Sequence, residues 1–250
     1  MSIFGQTFAF LLTPANWAAS SANPISVRLG EHLWYTLISL VLTAVIAIPI
    51  GFYIGHTGRG RGIAVTLSGG ARALPTLGAI TLLSLLIGIG IGLAAPIIAF
   101  VILAIPSVLA GAYSGFEAVD RRTIDAARAV GMTEWQIVTQ VEIPLGLPLL
   151  IGGLRAGTLQ IVATATLAAY VGSGGLGTFI FLGIGANDIT QTLAGAFLVI
   201  ALAILLEVLF SIIQRLVVPA GVRAGRTKND RPRATRLRTS VGSPLQEGNK

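Results

Sequence analysis

Residues 33–55 read LWYTLISLVLTAVIAIPIGFYIG, and this stretch decides the class of fold. It contains 23 residues and no charged side chain. A helix needs about 20 predominantly apolar residues to cross the hydrocarbon core of a bilayer. Trp34 and Tyr35 lie at one end and Tyr53 at the other, as is typical of aromatic side chains at the two membrane–water interfaces. The stretch therefore predicts a transmembrane helix.

Long apolar runs recur on the C-terminal side of this helix. No charged residue occurs at positions 73–116, which is long enough for two spans, and the glycine-rich sequence at 88–96 predicts the break between them. Two further apolar runs cover roughly 146–170 and 192–214. The sequence therefore predicts an all-α polytopic membrane protein with about five transmembrane helices.

The small number of charged residues excludes several other classes of protein. Charged residues make up 11% of the chain and hydrophobic residues 54%, and the mean hydropathy is +0.83. Because about a quarter of the residues in a soluble domain are normally charged, these values argue against a water-soluble enzyme, a nucleic-acid-binding domain and a disordered protein. The chain has no cysteine and two histidines, so it has no disulfide framework and few side chains for a metal site.

The net charge of +7 is concentrated near the C-terminus. Residues 221–250 contain eight Lys and Arg against two acidic residues, whereas the preceding 220 residues contain nine against eight. Because Lys and Arg accumulate on the cytoplasmic side of membrane proteins, we place 56–61, 117–144 and 215–250 on that side and Arg28 outside. The prediction is an extracytoplasmic N-terminus, a cytoplasmic C-terminus and no nucleic-acid partner.

This topology divides the chain into three parts. Residues 1–31 are predicted to be an extracytoplasmic or interfacial segment, and residues 32–218 a transmembrane domain that includes a charged loop at 117–146. Residues 219–250 are basic and rich in Gly, Pro, Ser and Thr, and they are predicted to form a disordered cytoplasmic tail.

The charged loop contains signals for two helices, in the sequence DRRTIDAARAVGMTEWQIVTQVEIPLGLP at 120–148. Asp120 can cap a helix that runs to about Val130, and Gly131 suits the left-handed residue that ends such a helix. The first of the two loop helices is therefore expected between Asp120 and Gly131.

The second loop helix begins with a capping-box pattern, Thr133 followed three residues later by Gln136. Pro144 is expected to end this helix. Three apolar side chains are expected roughly on one side of it: Trp135, Val138 and Val141. These patterns alone leave two interpretations, a functional helix–turn–helix or an amphipathic hairpin that only links two spans.

The hairpin resembles the coupling loop of the permease subunits of bacterial ABC importers. In that family the signature is Glu-Ala-Ala, three residues, Gly, nine residues, and then an apolar-x-apolar-Pro ending. The residues at the matching positions here are Asp125, Ala126, Ala127, Gly131 and Val141-Glu142-Ile143-Pro144. The chain departs from the signature at Asp125, where Glu is usual, and at Val141 and Ile143, where Ile and Leu are commoner.

The resemblance implies a set of partners and a location. The hairpin would dock in a groove of a separate ABC ATPase subunit, and a second permease subunit, either a copy or a paralogue, would complete the path. An extracytoplasmic binding protein would deliver the substrate, and the complex would lie in the bacterial cytoplasmic membrane. The only lysines, Lys228 and Lys250, lack the GxxxxGK[ST] context of a phosphate-binding loop, so the expectation is a transport subunit without its own cofactor, with ATP bound by the partner.

Further motifs resemble the osmoprotectant branch of these permeases, whose substrates are glycine betaine, choline and related quaternary ammonium compounds. The motifs are LLTPANW (11–17), EHLWYT (31–36), IGHTGRGRG (54–62), RALPTLG (72–78) and YVGSGGLG (170–177). One alternative is an importer permease for methionine or another small polar nutrient. A second alternative, from a different class, is a stand-alone ion-coupled carrier, in which intramembrane acids and internal repeats would be expected.

Two charged residues are expected within the membrane zone. Arg155 and Glu207 lie at a similar depth in the fourth and fifth predicted spans, and an ion pair between them would hold these spans together. The alternative is that each side chain extends to the headgroups.

Several aromatic side chains could line a path for a quaternary ammonium compound or could be interfacial anchors: Tyr35, Tyr113, Tyr170 and Phe179.

Glycine-rich patterns complete the prediction. The sequence at 172–177 matches GxGxxG, but its place at the outer end of a span favours a bend that lines the path over a dinucleotide site. Pairs of small residues four apart predict close helix packing: Gly51/Gly55, Gly88/Gly92, Gly111/Gly115 and Gly153/Gly157.

Overall fold

The computed structural model describes residues 2–87 and 93–217, and this part of the chain consists of helices and connecting turns. The α-helices, in chain order, are α1 (Ile3–Leu12), α2 (Ile25–Thr57), α3 (Arg61–Ala73), α4 (Thr76–Ile87), α5 (Ala94–Glu117), α6 (Arg121–Ala129), α7 (Glu134–Ile137), α8 (Ile143–Ala165), α9 (Gly177–Ala186) and α10 (Ile189–Val217). Short 3₁₀ turns occupy Pro14–Asn16 and Thr166–Val171, and a π-helical turn occupies Val138–Glu142. The predicted all-α class is confirmed.

Four helical segments are long and apolar enough to cross a membrane: Ile25–Thr57, Ala94–Glu117, Glu134–Val171 and Ile189–Val217. A fifth crossing is formed if α3 and α4, which meet at 90°, count as one broken span. The prediction of about five spans agrees with the upper count, but it did not foresee α3.

Two spans were expected within the uncharged run at 73–116, and no helix was predicted between that run and the first span. Instead α3 occupies Arg61–Ala73, and α4 begins only at Thr76. Leu74, between the two helices, is extended, with φ −67° and ψ 129°. The reason is Pro75, because a proline disfavours the helical conformation of the residue before it. Of the predicted break at 88–96, residues 88–92 lie outside the described part of the chain.

The centre of the bundle is α5, which packs against α2 on one side and α8 on the other. A Cβ atom at Gly111 would lie 2.6 Å from Cα of Gly153, and one at Gly115 would lie 2.7 Å from the carbonyl oxygen of Gly146. These glycines therefore let the backbones of α5 and α8 approach more closely than any side chain would permit. The prediction that the small-residue pairs mediate helix packing is confirmed here, while Gly88/Gly92 lies outside the described residues.

The same contacts give the helix directions. Gly51 packs against Ala112 and Gly55 against Phe116, so α2 and α5 run in the same direction, whereas the Gly111–Gly153 and Gly115–Gly146 contacts make α8 antiparallel to α5. On α10, Gln214 donates a hydrogen bond to the carbonyl oxygen of Pro148 on α8. We name the end of the bundle where α2 and α5 finish the hairpin end, because residues 120–142 follow there. The opposite end is the loop end, named for the glycine-rich loop at 172–176.

The N-terminal segment packs on the bundle through its aromatic side chains. The rings of Phe8 on α1 and Phe197 on α10 lie 5.6 Å apart, and the rings of Phe10 and Phe179 lie 6.3 Å apart. α1 has 10 residues, too few to cross a bilayer. It therefore adds to the bundle near the loop end without forming a further span.

Candidate functional site

The hairpin at 120–142 is held in shape by its caps. Oδ1 of Asp120 accepts a hydrogen bond from the backbone N–H of Arg122 at 2.9 Å, which caps α6. The predicted capping box is present, since the Thr133 N–H donates to Oε1 of Gln136 at 2.8 Å and the Gln136 N–H donates to Oγ1 of Thr133 at 3.3 Å. Both helix starts were therefore readable from the sequence.

Gly131 forms the turn between α6 and α7. Its φ is +87°, in the left-handed region that glycine adopts without steric cost. No atom lies within 4 Å of the position that a Cβ would occupy, so the structure requires this glycine for its backbone conformation and not for close packing within the chain.

The hairpin has a small apolar core of its own. The buried members are Val119, Ile124, Ala127 and Ile137, and Met132 and Val141 pack against them. Ala127 of the signature therefore points inward, whereas Asp125 and Ala126 are exposed. Trp135, expected on the same side as Val141, is instead 75% exposed. Together with Val130, which is 79% exposed, it gives the hairpin an apolar outer surface that the sequence patterns did not reveal.

An ion pair joins the two helices of the hairpin across this surface. The Arg128 guanidinium donates to both carboxylate oxygens of Glu134, at 2.8 and 3.0 Å, and lies 3.6 Å from Asp125. The hydrogen bond to Glu134 raises the pKa of Arg128. Because a two-point contact of this kind defines the orientation of both groups, it limits rotation of α6 relative to α7.

Pro144 does not end the second helix, and that prediction was wrong. The chain continues from α7 through the π-helical turn at Val138–Glu142 into α8, with Pro144 in the first turn of α8. In the wider turn the Ile143 N–H donates to the carbonyl oxygen of Val138, five residues back. Proline has no N–H to place in the helix, and the wider turn gives its ring room beside the preceding backbone. The hairpin is thus continuous with a membrane helix.

A buried carboxylate lies at the base of the hairpin and was missed in the sequence. Glu142, the variable position of the signature's ending, is 1% exposed. Its Oε2 lies 2.6 Å from Nδ1 of His56, in the last turn of α2, and Nε2 of His56 lies 3.3 Å from Oε2 of Glu134. No short-range pattern could have indicated this contact, because 86 residues separate Glu142 from His56.

The predicted partners Arg155 and Glu207 are brought together. The Arg155 guanidinium donates to the Glu207 carboxylate, and the two side chains join α8 to α10. Both are about one-third exposed. The structure therefore places these two charges in contact.

At the loop end, three glycines of the GxGxxG match adopt positive φ, between +77° and +81°: Gly172, Gly174 and Gly175. The loop that they form is bonded to α2. Glu31 accepts a hydrogen bond from the Gly175 N–H at 2.8 Å, and the Tyr35 hydroxyl donates to the carbonyl oxygen of Ser173 at 2.6 Å. The loop follows the 3₁₀ turn at Thr166–Val171, not a strand, so it lacks the context of a dinucleotide site.

His32 completes the attachment of this loop. It is fully buried, and its Nδ1 accepts the Leu176 N–H at 3.3 Å. Its Nε2 lies 3.1 Å from the carbonyl oxygen of Val162. One nitrogen must accept and the other must donate, so these partners define a neutral ring with its hydrogen on Nε2.

The four candidate path-lining aromatics have different environments. Tyr35 and Phe179 are buried and bonded or packed inside the bundle, and Tyr113 is half-buried against α2. Tyr170 is 58% exposed, and its ring lies 5.7 Å from that of Phe181. A cleft of about 260 Å³ lies beside it, and its lining residues are Thr81, Ser84, Leu85, Tyr170 and Val171. Within the described part of the chain, the buried Oγ of Ser84 has no hydrogen-bond partner.

These features define a polytopic helical membrane protein with a capped hairpin continuous with one of its spans. Residues 47–221 match the family described as "Binding-protein-dependent transport system inner membrane component", and the chain belongs to this family. The resemblance to ABC importer permeases is thereby confirmed. A member of this family is a transport subunit and not an enzyme, and it works in a membrane complex with a substrate-binding protein and ATPase subunits.

Individual relatives match over nearly their whole length. The chain is 31% identical to the glycine betaine/carnitine/choline transport system permease protein OpuCB of Bacillus subtilis (strain 168), over 82% of this chain and 93% of that protein. It is 32% identical to the osmoprotectant import permease protein OsmW of Salmonella typhimurium, over 87% of this chain and 100% of that protein.

A solved structure has a similar fold. A chain in inward-facing conformations of the MetNI methionine ABC transporter matches with a TM-score of 0.66 and 25% identity, over 78% of this chain and 96% of that chain.

Proposed function

We propose that this chain is the permease subunit of an ATP-driven importer of quaternary ammonium osmoprotectants, such as glycine betaine and choline. The observation that carries the proposal is the similarity to OpuCB and OsmW, which extends over 93% and 100% of those proteins. A permease for methionine is the second candidate, supported by the 25% identity and TM-score of 0.66 with the MetNI chain.

The proposed orientation has the hairpin end in the cytoplasm and the loop end outside, in the bacterial cytoplasmic membrane. Basic residues of the connecting segments support it: Arg59, Arg61, Arg121, Arg122 and Arg128 all lie at the hairpin end. At the loop end, Arg28 is paired with Glu31 at 3.0 Å, so it adds little net positive charge there. The asymmetry is the one expected of the positive-inside rule.

In this orientation the hairpin is the part that would engage the ATPase subunit. Its exposed outer surface includes Asp125, Ala126, Val130 and Trp135 beside the Arg128–Glu134 pair, a combination of charged groups and apolar contact area suited to a groove. Gly131 would give the turn its shape, and the Arg128–Glu134 pair would keep the two helices from moving independently. ATP would be held by that partner, with no cofactor in this chain.

The proposed complex contains a second permease subunit, either a copy or a paralogue. Five crossings are too few to surround a gated path, and the outer surface of α10 is available for a neighbour or for lipid, with Ile200, Ile204 and Leu205 more than half exposed. A substrate-binding protein would approach from the loop end.

Tyr170 is the proposed contact for the substrate in the path. A quaternary ammonium group has no N–H to donate, and it is attracted to the face of an aromatic ring. Tyr170 is exposed beside Phe181, and Ser84 also lines the cleft next to it. Among the four candidate aromatics, Tyr170 is the one that combines exposure with a cleft.

The test is substrate uptake by cells that lack other osmoprotectant importers and express this chain with its partner subunits. Labelled glycine betaine and choline are expected to accumulate, unlabelled methionine is expected not to compete, and uptake is expected to stop when the ATPase subunit is omitted. Accumulation of methionine without glycine betaine or choline would make the second candidate correct.

A further inference from the structure

The buried carboxylate at the base of the hairpin has a side-chain partner on another element. Glu142 is 1% exposed, and a carboxylate removed from water requires a hydrogen-bonded or charged partner. Nδ1 of His56 lies 2.6 Å from it. The interaction joins the π-helical turn that begins the α8 span to the last turn of α2.

His56 also reaches the outer part of the hairpin. Its Nε2 lies 3.3 Å from Oε2 of Glu134, and the Glu134 carboxylate accepts two hydrogen bonds from Arg128, one from Nε and one from Nη2. The four side chains form a continuous series from α6 through α7 to α2, in the order Arg128, Glu134, His56, Glu142. Carboxylate oxygens only accept hydrogen bonds, so both contacts of the ring are satisfied when each nitrogen carries a hydrogen.

The apolar contacts of the hairpin do not provide an equivalent connection. Its core cluster is built only from residues between 119 and 141, and those residues therefore stabilise the hairpin internally. The polar series is what reaches from the hairpin to α2. α2 is 33 residues long, and near its loop end Glu31, His32 and Tyr35 hold the glycine-rich loop.

We propose that His56 is a positioning residue that transmits movement of the hairpin to α2, and through α2 to the loop end about 36 Å away, at ~1.5 Å per residue. The inference rests on the proposed engagement of the hairpin by the ATPase subunit. α2 is one continuous helix, with Pro49 inside it, so displacement of its end at His56 moves the helix that carries the residues holding the loop. Without that contact, movement of the hairpin reaches α2 only through the packing of α5 and α8 against it.

Other charged groups around this end of α2 are accounted for. Arg61, at the start of α3, is paired with Glu117, at the end of α5, at 3.3 Å. Arg59 lies exposed on the turn after α2. The groups that face His56 are therefore Glu142 and Glu134, with Arg128 behind Glu134.

The experiment uses the full complex in lipid nanodiscs, with cysteines introduced for spin labels at Gly30 on α2 and Gly152 on α8. This chain has no native cysteine, and a Cβ at either position meets no atom within 4 Å. The distance between the labels is measured with and without a non-hydrolysable ATP analogue. Co-purification of the ATPase subunit is measured on the same samples.

In the labelled chain with no other substitution, called the unchanged chain below, the ATP analogue is expected to shift the distribution of distances between the two labels. H56A is expected to retain the ATPase subunit but to reduce the shifted population about tenfold, the loss expected for one charge-assisted hydrogen bond. H56R, whose guanidinium can donate to both carboxylates, is expected to restore the shift. E117Q, which breaks a pair at the same end without touching the series, is the matched control and is expected to behave as the unchanged chain.

Rescue by H56R, together with retention of the ATPase subunit in H56A, distinguishes transmission from a purely structural role. The proposal is overturned if H56A shifts as fully as the unchanged chain, or if the unchanged chain binds the ATPase and shows no shift. Failure of the proposed function has a different signature, because the ATPase subunit would then be absent whatever residue occupies position 56.

Discussion

The two ends of α2 each hold a segment that interrupts the spans, and each does so with one of the two histidines of the chain. At the loop end, His32 is fully buried and bonds to backbone groups, the N–H of Leu176 and the carbonyl oxygen of Val162. At the hairpin end, His56 is partly exposed and lies between two carboxylates, Glu134 and Glu142.

The difference shows how the same side chain serves two purposes. The partners of His32 are one N–H and one carbonyl group, so a neutral ring satisfies both contacts. The partners of His56 are two carboxylates, which lie on the hairpin and at its base. The first contact attaches a backbone loop to α2, and the second connects α2 to the side chains of a segment that is proposed to move.

The largest effect is expected from removing the attachment at the loop end. Replacing His32 with Leu leaves the buried Leu176 N–H without an acceptor and removes the bond to Val162, which we expect to lower the free energy of unfolding by about 3 kcal/mol. Thermal unfolding of the purified protein in detergent measures the loss. T36V is the control, because it removes a hydroxyl that bonds only within α2, to His32 one turn away. Equal stability of both variants would contradict an attachment role.

The next effect is expected at the hairpin turn. G131V places a β-branched residue at φ +87°, which costs about 2 kcal/mol and should distort the turn enough to reduce ATPase co-purification. Gly131 replaced by Asn, which tolerates the left-handed region, should retain the subunit. G58V is the matched control, since Gly58 has φ +70° and equally open surroundings outside the hairpin. A similar loss of the ATPase subunit in G58V would mean that backbone strain in general, not the hairpin, is responsible.

A smaller effect is expected from a change at Tyr170, and it should alter substrate uptake without altering binding of the ATPase subunit. Replacing Tyr170 with Leu removes the aromatic face, and we expect KM for glycine betaine uptake to rise about threefold to fivefold. Y170F keeps the face and should behave as the unchanged chain. ATPase co-purification should be the same in all three. An unchanged KM in the Leu variant would show that Tyr170 does not contact the substrate.

The smallest effect is expected from the pair that joins α8 to α10. Because Arg155 and Glu207 are each about one-third exposed, solvent screening should limit the cost of either R155E or E207R to about 1 kcal/mol. The swapped double variant should recover most of that loss in thermal unfolding. If the double variant is less stable than both single variants, the two charges do not depend on each other.

Most of the fold was predictable from local signals. The apolar run at 33–55 lies within α2, and the caps at Asp120 and Thr133 occur as expected, because a helix start depends on residues within one turn of each other. Signals of this kind failed at Pro144, where the π-helical turn accommodates a residue that normally ends a helix. They also failed to indicate α3, whose extent depends on the bend before Pro75.

The candidate site was predictable in part. The signature positions and the pairing of Arg155 with Glu207 were inferred from spacing and from similar depth in the membrane. The role of Glu142 was not, because the signature leaves its position variable. The exposure of Trp135 was also not foreseen, because it depends on which side of α7 faces the small apolar core.

The amino-acid sequence by itself determined the membrane class, the approximate number of spans, the family and the local geometry of the hairpin. These properties depend on run length, composition and spacing over a few residues. The tertiary structure alone decided which side chains meet across the bundle. His56 meets Glu142 over 86 residues and His32 meets the glycine-rich loop over 144. The physical reason is that such contacts depend on which faces of α2, α5 and α8 oppose each other, and close glycine packing between helices determines that.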